Sequence, residues 1–145
     1  MTGGLMAPRG ACPRSLAVDH PAAAANIGQA LEIFRDLGSR LGEAEALNRL
    51  GELSSRTSAT SQARAQHTQA LAIARALGVP LEEARALEGI GLSHLHDGNT
   101  SQAAPHLRRA LTIYQGIGNP GAQRIQDTLR DHGLQARPRR QQGPS

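Results

Sequence analysis

The sequence predicts an all-α fold, an α-solenoid of antiparallel helix hairpins with about six helices. Three observations predict it. Shifted by 40 residues, Ala30-Leu31-Glu32-Ile33 falls on Ala70-Leu71-Ala72-Ile73 and then on Ala110-Leu111-Thr112-Ile113. The register persists in Leu37-Gly38, Leu77-Gly78 and Ile117-Gly118, in Ala46-Leu47 and Ala86-Leu87, and in Leu50-Gly51 and Ile90-Gly91. A fixed period in this range marks units that cannot bury their apolar faces alone and must stack on their neighbours. Secondly, strong helix formers dominate the middle of the chain, β-branched residues are sparse, and Phe34 and Tyr114 are the only aromatics, so the core is aliphatic and thin. Thirdly, Gly and Pro fall at intervals that cut the chain into helix-length pieces.

The elements follow in order. Asp19 is a good N-cap for a first helix whose stripe Ile27, Leu31, Phe34 runs to Gly38, a C-terminal cap. Ser39 caps a second helix carrying Leu41, Ala44, Leu47, Leu50 and Leu53, expected to dissolve in the polar stretch from Ser54 to Ser58. A third runs from Thr60 to Leu77 and stops at Gly78. Pro80 starts a fourth, where its missing N–H costs nothing, and Asp97-Gly98-Asn99 ends it. The fifth spans Thr100 to Ile117 with Pro105 inside it. Asn119-Pro120 opens a last short helix ending near His132-Gly133. The folded unit is therefore expected over residues 19–132, between a disordered arm over 1–18 and a disordered Arg/Pro/Gln tail over 133–145.

Charge and cysteine content narrow the function classes. Residues 21–132 carry Arg and acidic residues in equal number, so the formal +4 comes from the ends. Nucleic-acid binding normally needs a basic face on the folded part, so it is not expected of this chain alone. Cys12 is the single cysteine, which leaves no intramolecular disulfide and no cysteine-based zinc site. Neither a signal peptide nor a membrane span is recognisable, and the expected location is cytoplasmic.

Within each unit the small residues Gly51, Ala63, Ala70, Gly91, Ala103 and Ala110 are spaced to let helices approach closely. Leu50-Gly51 followed by Ala63 and Ala70, and Ile90-Gly91 followed by Ala103 and Ala110, resembles the tetratricopeptide repeat over residues 19–132. The unit of 40 residues is longer than the usual length of about 34. The extra residues fall in Leu-Gly-x-x-Leu-x-Glu, at Leu37 to Glu43 and Leu77 to Glu83. That variant resembles the C-terminal repeats of actinobacterial antibiotic regulatory proteins and related signal-transducing NTPases, without their DNA-binding or nucleotide-binding parts. Ser54, where an aromatic is usual, the turn at Ser58-Ala59-Thr60 and Pro105 depart from the pattern.

No constellation points to catalysis. His94 and His96 face different directions of a helix, and none of the histidines has a nucleophile, second ligand or paired carboxylate at a useful spacing. No catalytic residue, metal or cofactor is expected. Gly89 and Gly91 follow no strand and make no phosphate loop; Gly89 lies on the exposed side of its helix, where it weakens the helix or leaves room for a ligand backbone.

The resemblance implies a concave groove lined by the first helix of each pair, which places Glu45, Asn48, Arg49, Glu52 and Arg56 beside Arg85, Glu88, Leu92, Leu95 and His96. Asn48 is suited to chelate a peptide backbone, although Glu45 and Arg49 also fit an ordinary i,i+4 ion pair on a solvated face. A chaperone-type carboxylate clamp needs Lys and Asn where Asn48 and Glu52 stand, so a chaperone tail is not the expected ligand. The expected function is a non-catalytic protein-interaction module for a peptide or partner protein. The alternative is a truncated sensor segment of a larger transcriptional activator. Homodimerisation is expected through Ile27, Leu31 and Phe34, because the first helix has no partner upstream and solenoid ends need polar caps.

Overall fold

In the computed structural model, residues 20–135 are described; the N-cap expected at Asp19, the arm over 1–18 and most of the tail lie outside them. The described residues form six helices and no strand: α1 His20–Leu37, α2 Arg40–Arg56, α3 Thr60–Leu77, α4 Pro80–His96, α5 Thr100–Gly116 and α6 Gly121–Asp131. None is long and apolar enough to cross a membrane.

Local chemistry fixes the boundaries. Gly38, Gly78 and Gly118 turn the chain at φ near +70 (73, 71 and 67°), the left-handed conformation that only glycine adopts without cost. Ser39 Oγ accepts from Gly42 N at 3.2 Å to open α2, and Asn119 Oδ1 accepts from Gly121 N at 2.7 Å to open α6. α2 ends at Arg56, within the polar stretch expected to stop it, and Ser54 Oγ donates to Gln66 Oε1 at 2.8 Å and ties its last turn to α3. The turn that follows needs a left-handed residue, and Ser58 supplies it at φ 66°, where the next unit has Gly98 at 82°. α5 runs through Pro105 unbroken, with the proline on its exposed side.

Each helix packs on the next along the chain, and α2 also reaches α4. Small residues make this possible: Ala44, Ala63, Ala70, Ala84, Ala103 and Ala110 have no exposed surface. Leu47, Leu87, Ile90, Leu107, Ile125 and Leu129 fill the layer between helices, with Tyr114 the one fully buried aromatic. The burial rhythm of α4 returns in α6 after 39 residues rather than 40, since Glu82, Ala86 and Ile90 match Gly121, Ile125 and Leu129. One residue is lost at the last junction.

The stripe expected to drive self-association packs on α2 within the chain. Leu31 is buried, Ile27 and Phe34 are half-buried against the core, and the Phe34 ring lies over Gly42, where a Cβ would collide with it. α2 covers them. The apolar side chains that α1 turns outward are instead Ile33, 56% exposed, and Leu37, 73% exposed.

Candidate functional site

Three adjoining clefts run along one face. The first, about 330 Å³, lies between α1 and α2 and is lined by Ile27, Ala30, Phe34, Glu45 and Arg49 among others. Glu45 and Arg49 also line a second of about 210 Å³, with Asn48, Glu52, Glu82 and Arg85. Glu52 and Arg85 then line a third of about 450 Å³, which continues to Arg56, Glu88, Leu92 and Arg124. Shared walls make one groove across α2 and α4 that ends at α6.

The residues expected in this groove divide into two groups. Asn48 is not a free ligand contact: it is 1% exposed, and all its hydrogen-bonding capacity is directed inward. Its Nδ2 donates to the backbone O and to Oε1 of Glu82, at 3.1 and 3.0 Å, and its Oδ1 accepts from His67 Nδ1 at 2.8 Å. Glu82, itself buried, accepts from Arg85 at 2.8 Å through its other oxygen. Asn48 therefore bolts α2 to α4 and α3, because a buried amide must find partners and these are the nearest.

Glu88, one unit later, does the same for α4 and α6. It takes the Tyr114 hydroxyl at 2.9 Å and two guanidinium bonds from Arg124 at 2.6 and 2.8 Å, with Arg124 also 5.9 Å from the centre of the Tyr114 ring. Burial, followed by the adjacent Glu88 carboxylate, pushes the Tyr114 hydroxyl well above its usual range. Both Asn48 and Glu88 are struts. A helix-face projection cannot distinguish an inward strut from an outward contact when both positions lie at the edge of the face.

The open groove residues are Glu45, Arg49, Glu52, Arg56 and Leu92. Glu45 and Arg49 do not form the expected ion pair; among the described residues neither has a charged partner within 4 Å. Glu52 has none either. Loss of water on its cleft side raises its carboxyl pKa, partly offset by the fields of Arg85, Arg56 and Arg49. Leu95 packs against the core and His96 stands exposed outside the clefts.

Two contributors escaped the projection. Arg124 was hidden by the one-residue slip before α6, which puts it at the position Arg85 holds in α4. The other is His67 of α3, 2% exposed, which reaches the groove between α2 and α4. A Cβ on Gly51 or on Gly89 would strike its imidazole. Gly89, expected either to weaken its helix or to leave room for a ligand backbone, makes room for this ring. Asn48 fixes the tautomer: its Nδ2 must face the Glu82 oxygens, so its Oδ1 meets His67 and Nδ1 carries the proton. Burial lowers the His67 pKa to about 4, against a smaller opposing pull from Glu88, so the ring is neutral near pH 7.

Groups of three or more residues able to hold a metal are absent among the described residues. No protein-family model and no curated protein matches this chain.

Proposed function

We propose that the chain is a tetratricopeptide-type solenoid that binds an extended peptide of a partner protein in the groove along α2, α4 and α6, without catalysis. The observation that carries the proposal is the continuity of the three clefts, which share Glu45, Arg49, Glu52 and Arg85 and cross successive repeats on one face. Groove charges are mixed, which suits a polar segment better than an apolar one. Their internal pairing also leaves Arg49, Glu52 and Arg56 uncommitted for a ligand.

Selection of displayed peptides against the whole chain tests this. Binders should lose affinity by about tenfold when Arg49 and Glu52 are both replaced by Ala, since each loses a charge-assisted contact worth about 1.5–3 kcal/mol at best and less at an exposed rim. Helicity should not change, because both side chains are exposed and unpaired. Binders that ignore this double variant and protect some other face from hydrogen exchange would remove the groove from consideration.

A further inference from the structure

We propose that the third cleft receives the cationic head of a Lys or Arg side chain from the partner, sharing its N–H groups between His67 Nε2 and the Glu52 carboxylate. The inference rests on the groove reading above and deepens it by naming the anchor.

The cleft leaves some of its polar groups unused. Arg85 is held by Glu82 at 2.8 Å and Arg124 by Glu88 at 2.6 Å, so two of the three arginines lining the cleft are committed. Glu52 has no ion pair among the described residues. His67 is committed on one side only: Nδ1 is bonded to Asn48, while Nε2 has no hydrogen-bond partner and is not among the sealed polar atoms of the core. It belongs to a ring that lines the cleft, in a slot opened by Gly51 and Gly89. With the proton fixed on Nδ1, Nε2 can only accept.

Of the unspent groups in this cleft, His67 Nε2 and the Glu52 carboxylate are both acceptors, and what satisfies two acceptors is a donor with several N–H groups. An incoming carboxylate or phosphate would meet the Nε2 lone pair, and two of the three arginines lining the cleft are already neutralised by Glu82 and Glu88. Arg56, exposed four residues beyond Glu52, makes no ion pair with it and stands at the rim. The low His67 pKa keeps the ring in the accepting form under ordinary conditions.

The position also departs from its own repeat. His67 is equivalent to Ile27 and Leu107, both aliphatic, and Leu107 packs against Gly91 as His67 packs against Gly51. An aliphatic residue would fill that space without the burial cost of imidazole. A buried polar group with one open valence is what a binding floor requires.

The test uses the full chain labelled with 15N-histidine. Probes are the N-acetyl methylamides of arginine and lysine, with those of citrulline and norleucine as uncharged counterparts. The cationic probes should shift the His67 Nε2 resonance upfield in a saturable way, as expected for a nitrogen that gains a hydrogen bond, and the uncharged pair should not. Glu52→Gln, which keeps the shape and helicity, should weaken the cationic probes about tenfold, the loss of one charge-assisted contact. Equal shifts from citrulline, no saturable shift from either cation, or indifference to Glu52→Gln would each overturn the inference. Peptides selected on the groove without enrichment of Lys or Arg would overturn it too while leaving the groove reading intact; no groove-binding peptide at all would sink both.

Discussion

At the scale of single residues, the molecule turns on one imidazole. His67 is neutral in the fold because burial holds its pKa near 4, whereas in an unfolded chain it titrates near 6.5. The unfolded state thus binds a proton that the native state refuses, and stability falls as pH drops from about 6.5 towards 4. The loss at pH 4 is about 3 kcal/mol, taking 1.4 kcal/mol per pKa unit. His94, whose pKa is also lowered by burial first and then by Arg64 and His106, adds in the same direction. Asp97 and Asp127, held down by hydrogen bonds from Thr60 and Arg64 and from Arg130 and Gln123, act in a lower window, below their usual 3.8. Urea unfolding between pH 7 and 4 should show this slope in the wild type and a shallower one in His67→Gln. Parallel slopes would mean that His67 does not carry the effect. The residue was legible in the repeat frame, since a histidine at the level of Ile27 and Leu107 is an anomaly, but its value depended on Asn48 and Gly89. Those two looked like surface positions until the packing placed them.

At the scale of elements, glycine decides where helices can approach. Ala exceeds Gly as a helix former by about 1 kcal/mol, so replacing a mid-helix glycine is favourable wherever space allows. Gly28 in α1 has nothing within 4 Å of a Cβ, and Gly28→Ala should stabilise by about that amount. Gly89→Ala puts the methyl into an imidazole backed by Gly51 and held by Asn48, where overpacking costs about 1–3 kcal/mol and outweighs the helix gain. Opposite signs for the two variants in thermal melts are the expected outcome; stabilisation by both would show that His67 can move aside. The α2–α3 turn offers a third case, because Ser58 sits at φ 66°, where an L side chain costs about 1–2 kcal/mol. Ser58→Gly should raise stability by about 1 kcal/mol after the entropy of glycine is set against that relief. Helix number and boundaries were readable from Gly38, Ser39, Gly78, Pro80 and Gly98, since turn chemistry is local. What turn chemistry could not give is the cross-helix bond of Ser54 to Gln66, or the face of α6, whose burial follows α4 at 39 residues instead of 40.

At the scale of the whole molecule, stability in an array of stacked helices is a sum over neighbours, so it should fall towards whichever end has the fewest. α3 and α4 are packed on both sides, and the Asn48–His67–Glu82 bonds tie α2, α3 and α4 together. α6, although terminal, is held by Ile125 and Leu129 in the core and by the double bond from Arg124 to Glu88. α1 packs mainly on α2, contributes Leu31 as its one buried side chain, and makes a single ion pair to it, Arg35 to Glu43 at 3.1 Å, with the arginine half-exposed and worth little. Amide exchange should therefore be slowest in α3 and α4, intermediate in α5 and α6, and fastest in α1, which opens without unfolding the rest. That opening would bare Phe34, Ala46 and the first of the three clefts, leaving the His67 floor intact. A ligand confined to the floor should slow exchange in α2, α3 and α4 and hardly affect α1. If α1 instead exchanged as slowly as α3, the array would open as one cooperative block, and the assignment of its weak end to α1 would be wrong.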